Sequence, residues 1–425
     1  MRKFSKVPLL GLAVLAIAPA SHADVAFHGY GQIVAGTVFS NNRTFPTESA
    51  GYKYHADPTF TPNSNFALQA TAPLDNSISA TAQILATGDN DFQPKFQWAY
   101  LKYQLNDTFA LKAGRLQLPF YQYSDFQSVG EAYPWVLPPE AVYFSQAATY
   151  DGLNLSAEKS LGDWYLYMQA IYGSFDETSA DPVATASGTV NTQVFIHSHN
   201  LTGFTLDGSY NDWLSLRAAV FAEKLTISGD GTKDSNGIPI NPLDQLAALG
   251  SVLGGEAQKQ LVASDDPNIY YVASAQITRN NWLLIAEYQG LQSIAGASGV
   301  SPQISSEYVT VGYHFGKLLP LATFGHRNQW FRADKVKEAL TPSQAAIFDP
   351  IVGGLAGNPG FRDKDYFYEV GLRYDLTPTV ALKLDYTFYE SHYKTSDFPE
   401  AIQLAPTTTN PPDANRLLAA VTFSF

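Results

Sequence analysis

Cysteine is absent from this sequence, and charged residues are scarce. Asp, Glu, Lys and Arg make up 15% of its 425 residues, against about a quarter in a typical soluble domain. The lack of cysteine excludes a disulfide scaffold, thiolate metal sites and a cysteine nucleophile. Hydrophobic residues still make up 45% of the chain, which excludes disorder. The composition therefore disfavours an ordinary soluble globule, whose surface needs more charge.

Positive charge is also in deficit, because the sequence has 39 acidic residues and 26 basic ones. A nucleic-acid-binding protein needs a basic footprint, so we expect no nucleic-acid partner. The sequence also contains no His-Glu-x-x-His motif, no Gly-x-Ser-x-Gly elbow and no phosphate-binding glycine loop. Each of these motifs would place a catalytic or phosphate-binding group on a defined turn or helix. We therefore expect no enzymatic activity, no cofactor and no metal site.

The first 23 residues have the pattern of a secretory signal peptide. Three basic residues, Arg2, Lys3 and Lys6, precede an apolar run over residues 7–20. The small residues Ser21 and Ala23 then occupy the two positions that determine cleavage, just before the predicted cut after residue 23. A membrane anchor would need about 20 apolar residues, which is longer than this run. We predict that the mature protein comprises residues 24–425.

Long apolar runs are missing from the mature chain, and a two-residue alternation takes their place. The alternation is clearest in residues 366–376, 380–388 and 416–425. In the second segment, Val, Leu, Tyr and Phe at even positions alternate with Ala, Lys, Asp and Thr at odd positions. Successive side chains of a strand point to opposite faces, so each segment has one apolar and one polar face. Such segments are typical of transmembrane β-barrel strands.

The connections between these segments alternate between short and long. We count sixteen strand candidates, and seven tight turns rich in Asn, Asp, Gly or Pro separate most of the longer connections. This alternation predicts an all-β, closed antiparallel transmembrane barrel of sixteen strands formed by residues 24–425 as one domain, with both termini on the short-turn side. Two long connections, residues 242–262 and 335–348, could be partly helical or plain loop.

The mature sequence resembles the Gram-negative porins along essentially its whole length. The resemblance rests on the terminal Phe425, the first strand around residues 27–32, the segment 109–115, and the connection of about thirty residues that follows it. It implies an outer-membrane location, a water-filled channel, a homotrimer and recognition of Phe425 by the barrel assembly machinery. It also implies that the connection at 118–147, the third loop, folds into the barrel and narrows the pore.

The composition of residues 118–147 supports that inward position. The segment contains eight aromatic residues, which would be costly to expose in water. It also contains Asp125, Glu131 and Glu140 but no Lys or Arg. We predict that these three acids, together with Arg115, form the pore constriction. Lys112 and Arg115 have opposite strand parity, so only one of them can face the lumen.

Charged residues on the polar strand faces are predicted to line the lumen wall. They are Lys102, Arg217, Glu369, Arg373, Lys383, Asp385 and Arg416. Acidic and basic walls that face each other would create a transverse field, which selects among polar solutes. The alternative is that these residues pair with one another across neighbouring strands.

The predicted lipid-facing surface differs between early and late strands. Early strands carry small outward residues: Gly29, Gly31, Ala35, Ala70, Ala72, Ala80, Ala82 and Ala86. Late strands carry bulky ones, such as Tyr368 and Leu384. Small residues allow close packing of subunits in a bilayer. The early strands are therefore the predicted subunit interface, and the late strands face lipid.

The leading functional prediction is a porin for passive diffusion of small hydrophilic solutes and ions. One alternative is a channel selective for phosphate, a sugar or an aromatic acid, with arginines or aromatic rings as the binding groups. An outer-membrane lipid hydrolase would need a Ser-His-Asp group near the lipid, and the sequence does not indicate one. An exported soluble β-protein is the remaining alternative.

Overall fold

The computed structural model describes residues 25–39, 54–143, 148–185, 188–294, 297–330, 332, 335, 338–344, 362–393 and 413–425. The predicted signal peptide lies outside these residues. Sixteen antiparallel strands, each paired with its neighbours in the chain, form a closed barrel in which β1 also pairs with β16. The predicted fold is confirmed. The strands are β1 (Ala26–Val38), β2 (Asn65–Pro73), β3 (Ile78–Thr87), β4 (Lys95–Gln104), β5 (Phe109–Gln117), β6 (Thr149–Leu161), β7 (Trp164–Thr185), β8 (Gly188–Tyr210), β9 (Leu214–Gly229), β10 (Asp266–Arg279), β11 (Trp282–Ser293), β12 (Gln303–Tyr313), β13 (Leu318–Trp330), β14 (Arg362–Thr377), β15 (Val380–Tyr393) and β16 (Ala414–Ser424).

The alternation in sequence separates an apolar exterior from a polar interior. On β15, Leu382, Leu384 and Tyr386 are exposed on the outside, whereas Lys383 and Asp385 are buried inside. The same division recurs around the barrel. An exposed apolar band is unfavourable in water and favourable in lipid, so this exterior suits a bilayer.

The short turns lie at the same end of the barrel as the two termini. Each joins an even strand to the next odd strand and has two to four residues. Several contain residues with positive φ, such as Asn211, Asp212, Asn280 and Asn281, a backbone conformation that asparagine and aspartate tolerate. The predicted alternation of short and long connections is therefore confirmed.

The hairpin of β7 and β8 extends further than the sequence indicated. Residues 176–189 were predicted to be a loop, but backbone pairing continues from Phe175↔Ser198 to Thr185↔Gly188. The segment has three Thr and one Val among Ala, Ser, Asp and Pro. Its composition therefore gives little strand signal and none of the apolar alternation that marks a membrane-spanning strand.

The connection from β9 to β10 contains two helices, α1 (Pro242–Leu253) and α2 (Gly255–Gln260). The side chain of Asn241 caps α1 by accepting a hydrogen bond from the Leu243 N–H at 2.9 Å. In the second segment predicted to be partly helical, residues 335, 338 and 342–344 are helical, and residues 336, 337 and 345–348 lie outside the described part of the chain. No helix in the described part of the chain is long and apolar enough to span a membrane.

The barrel closes along a seam between its first and last strands. The pairing of β1 and β16 runs from Tyr30↔Ser424 to Val38↔Arg416. Beyond it, Gly29 and Phe425 exchange both backbone hydrogen bonds, at 2.8 and 2.9 Å. A Cβ atom on Gly29 would lie 2.2 Å from the Phe425 ring. Only glycine therefore leaves room for the terminal ring, which also stacks on Phe66 at a centroid distance of 6.1 Å.

Candidate functional site

The segment between β5 and β6 lies inside the barrel. Among the described residues of this segment, every aromatic side chain except that of Phe126 is buried against the inner wall and against the other rings. The Phe120 ring meets the Phe221 ring edge-on at 4.5 Å, and Trp135 meets Tyr308 in the same way at 5.6 Å. The Trp135 indole N–H also donates to Thr323 Oγ1 at 2.9 Å. We call residues 118–143 the inner loop; residues 144–147 lie outside the described part of the chain.

The inner loop is held first by an ion pair with β14. The Arg373 guanidinium lies 2.5 Å from Glu131 Oε1 and donates to the backbone carbonyls of Glu131 and Tyr133, both at 2.9 Å. Thr422 on β16 donates to the other oxygen of Glu131 at 2.8 Å. Charge-assisted bonds of this kind are stronger than neutral ones. Glu131 is therefore an anchor of the loop and is not free to face a solute.

A second ion pair fixes the far end of the loop. Both terminal nitrogens of Arg416 lie 2.8 Å from the two carboxylate oxygens of Glu140. Glu369 lines the same small cavity as these two residues and accepts a hydrogen bond from Thr387 at 3.0 Å. Arg416 and Glu369 thus both lie beside the end of the inner loop, on β16 and β14.

The third anchor uses the loop backbone. Lys383 donates to the carbonyl of Gly130 and to the carbonyls of Tyr133 and Trp135, the last two at 2.6 Å. Asp385 accepts a hydrogen bond from the Val136 N–H at 2.5 Å. Neither of the two sequence alternatives anticipated this role for Lys383. It neither faces open water nor pairs with a carboxylate on a neighbouring strand.

Two further wall residues hold the start of the inner loop. Glu287 on β11 accepts hydrogen bonds from the Gln122 N–H at 2.8 Å, from Tyr143 Oη at 2.8 Å and from Tyr308 Oη at 3.1 Å. Arg217 on β9 donates to the Tyr121 carbonyl and lies 3.2 Å from Asp207.

The charged anchors of the loop all belong to β9–β16. They are Arg217, Glu287, Arg373, Lys383, Asp385 and Arg416.

Asp125 belongs to the opposite side of the lumen. It is exposed and forms no ion pair within 4 Å among the described residues. Its electrostatic neighbours belong to β4–β8: Tyr100, Lys112, Tyr150, Tyr167 and Asp207. We call the space that these residues share with Asp125 the open side of the lumen.

Two lysines form a positive patch on the open side. Lys102 on β4 is the register partner of Lys112 on β5, and both face inward. Like charges directly opposite each other destabilise a sheet, so packing does not explain the pair. The Lys112 ammonium also lies over the Tyr100 ring, 5.7 Å from its centroid. On the open side, Asp125 of the inner loop therefore has basic neighbours on the wall, and these are Lys102 and Lys112 rather than Arg115.

The assignment of Arg115 to the constriction is wrong. Arg115 shares its parity with the outward residues Leu111 and Ala113, and it pairs with Asp151 at 2.8 Å through two exposed side chains. It lies where β4 and β5 separate, because their pairing ends at Ala99↔Arg115. Its charged neighbours are Asp151 and Glu177, not the acids of the inner loop.

Sequence reasoning missed three wall residues that parity could have found. Glu287 lies on the inner face of β11 with Leu283 and Ile285. Asp207 is the register partner of Arg217, and Trp98 shares the inner face of β4 with Lys102. No periodic signal could have indicated that Phe126 of the inner loop faces the lumen.

One cavity of about 490 Å³ lies on this side of the barrel, and a second of the same volume lies between the inner loop and the wall of β1–β4 and β16. One is near the long-loop end, with Lys95, Tyr150 and Glu177 in its lining. The other reaches the short-turn end, with Trp98 and Phe126 in its lining. Asp125 lines the second cavity and is an electrostatic neighbour of Tyr150 in the first.

Solved structures with the same fold are outer-membrane proteins. OmpT of Vibrio cholerae with loop L8 deleted is 12% identical, with a TM-score of 0.53, over 94% of this chain and 99% of that one. The outer membrane channel DcaP of Acinetobacter baumannii is 14% identical, with a TM-score of 0.51, over 95% and 99%. Salmonella typhi OmpF in complex with daunomycin is 12% identical, with a TM-score of 0.50, over 94% and 97%.

No protein-family model matches the sequence, and no curated protein sequence matches it. At these identities the likeness concerns the fold. The shared fold is the closed sixteen-strand antiparallel barrel of the porin type.

Proposed function

We propose that this protein is a porin of the outer membrane, through which small hydrophilic solutes and ions diffuse along the open side of the lumen. The observation that carries the proposal is the asymmetric position of the inner loop. Its charged anchors all come from β9–β16, while Asp125 remains water-exposed opposite Lys102 and Lys112 on β4 and β5. A passage of fixed shape and charge is sufficient for this function, so no catalytic turnover is required.

The charges on the open side are suited to selecting among solutes. Asp125 and Lys112 are electrostatic neighbours across the passage, and Lys102 adds a second positive group. In a narrow passage with low-dielectric walls, such charges act on an ion more strongly than they would in bulk water. Glu131 and Glu140 contribute less, because Arg373 and Arg416 compensate them directly.

Conductance across a planar bilayer in a KCl gradient tests the proposal. We expect an ohmic channel whose reversal potential shifts toward anion preference in Asp125→Asn and toward cation preference in Lys112→Gln. Asp234→Asn removes the same charge from an exposed long loop and should leave the reversal potential unchanged. A barrel that folds in detergent but conducts no ions, or two pore variants that shift the potential in the same direction, would contradict the proposal.

The proposal includes the assembly and lipid contacts of the barrel. Small outward residues on β2–β4 support a homotrimer interface, the apolar exterior supports contact with lipid, and the fit of Phe425 against Gly29 supports a role of the C-terminus in assembly. The absence of enzymatic activity remains part of the same proposal, as does cleavage after residue 23.

A further inference from the structure

The cavity toward the short-turn end has a lining unlike that of a simple water-filled passage. The Trp98 and Phe126 rings line it, together with the Tyr30 ring and Val129. Asp125 is its one acidic residue, and His28 is the one basic residue in the lining. Apolar rings beside a single carboxylate form a site for a particular class of solute.

The two rings are held in place from opposite sides. The Trp98 indole N–H donates to Gln69 Oε1 at 3.2 Å, which fixes the ring against the wall. Phe126 ends a short 3₁₀ turn, Ser124–Phe126, in which its N–H donates to the Tyr123 carbonyl at 2.9 Å. The next turn adds a bond from the Val129 N–H to the Phe126 carbonyl at 2.7 Å.

Exposure of Phe126 is costly unless something covers the ring. Its relative exposure is 52%, whereas Tyr123 and Trp135 on the same loop are buried. The loop therefore packs most of its aromatic residues against the wall but leaves this ring in the cavity. Asp125 precedes it directly, so that one turn presents a ring and a carboxylate to the same space.

We propose that this cavity is a recognition subsite for cationic solutes that carry an aromatic ring. The ring of the solute would contact Trp98 and Phe126, and its ammonium group would lie near Asp125. Aromatic rings attract both flat rings and cations, and a carboxylate without an ion pair favours a positive partner. This inference rests on the proposed channel function and names the solute class of the channel.

The test uses 2-phenylethylammonium as the probe, added to the wild-type channel in KCl. We expect a saturable block of the current. Butylammonium has the charge without the ring, and 3-phenylpropionate has the ring with the opposite charge; both should block at least roughly threefold more weakly. Block by butylammonium at the same concentrations as the probe would overturn the proposal.

Three variants locate the subsite. Phe126→Leu and Asp125→Asn should each raise the half-blocking concentration roughly three- to tenfold. Phe60→Leu, which changes an exposed phenylalanine that does not line this cavity, should leave the half-blocking concentration unchanged. An unchanged block in both cavity variants would overturn the proposal.

Calorimetric titration of the detergent-solubilised barrel with the same probe separates the two proposals. Absence of ion conductance with measurable probe binding would refute the channel but keep the subsite. Normal conductance with neither block nor binding would refute the subsite and keep the channel.

Discussion

Arg416 and Glu140 are 276 positions apart in the sequence and form a two-pronged ion pair inside the barrel, with both N···O distances at 2.8 Å. The Arg416 side chain is 3% exposed and that of Glu140 is 19% exposed. The pair joins the last strand to the end of the inner loop. It therefore holds the end of the inner loop against the barrel wall.

Removal of one partner should release that end of the loop. Arg416→Leu leaves the Glu140 carboxylate buried without its cation, and breaking a buried pair in this way costs about 3–5 kcal/mol. We expect a lower free energy of unfolding and a noisier channel of higher conductance. Thermal unfolding in detergent and single-channel recording measure the two effects.

The exposed pair of Arg115 and Asp151 provides the matched control. Its side chains are 49% and 56% exposed, and exposed ion pairs contribute about 0–1 kcal/mol. Arg115→Leu should therefore leave both the unfolding temperature and the current noise nearly unchanged. An equal loss of stability in the two variants would show that burial of Arg416 does not matter.

Acid should loosen the turn between β2 and β3. The Asp75 carboxylate accepts hydrogen bonds from the Ser77 N–H at 2.7 Å and the Ile78 N–H at 2.8 Å. These bonds, that of Ser77 first, lower the pKa of Asp75 below its usual value. A carboxyl whose pKa is depressed on folding stabilises the fold above its unfolded pKa, about 3.9, and loses that contribution as the pH falls through the folded value.

The prediction is that Asp75→Ala lowers the denaturant midpoint at pH 6 but not well below pH 3. The turn between β4 and β5 supplies the control, because Asn106 makes the equivalent bonds to the Thr108 and Phe109 N–H groups at 2.9 and 3.0 Å without a charge. Asn106→Ala should lower the midpoint equally at both pH values. A pH-independent loss in Asp75→Ala would contradict the assignment.

Three alanines form a flat outer patch on the early strands. Ala82 on β3 is the register partner of Ala70 on β2 and of Ala99 on β4. Close packing of such a surface is what association in a bilayer requires. Ala82→Trp should shift the protein from trimer to monomer on native electrophoresis, whereas Leu384→Trp on the outer face of β15, four strands away around the barrel, should not. A wild-type protein that migrates only as a monomer would refute the predicted trimer.

Strand parity predicted which charged side chains point to the inside of the barrel. It did not predict which groups those side chains contact. The alternation on β14 and β15 correctly placed Arg373 and Lys383 inside the barrel. It could not show that Glu131 reaches Arg373, because the loop has no period and its path depends on which wall groups it meets. The transverse field was predicted from three acids of the inner loop. Two of them, Glu131 and Glu140, are paired with wall arginines, and Asp125 alone faces the open side.

Arg115 shows a second limit of reading a strand from its sequence. The sequence did not decide whether Lys112 or Arg115 faces the lumen, because the two have opposite strand parity and both lie among apolar neighbours. In the structure Gly114 has a φ of 136°, and a Cβ there would lie 2.4 Å from the Ala99 carbonyl oxygen. The strands approach closely at this point and then separate, which leaves Arg115 at an edge of the wall.

The fit between Gly29 and Phe425 has a consequence for biosynthesis. The ring that covers the first strand follows directly on β16, and β1 pairs with β16, so the cylinder cannot be sealed before the sixteenth strand has been made and exported. Until then β1 is an edge, whose unpaired backbone groups are not tolerated in hydrocarbon. A product that lacks β16 therefore has no partner for its first strand.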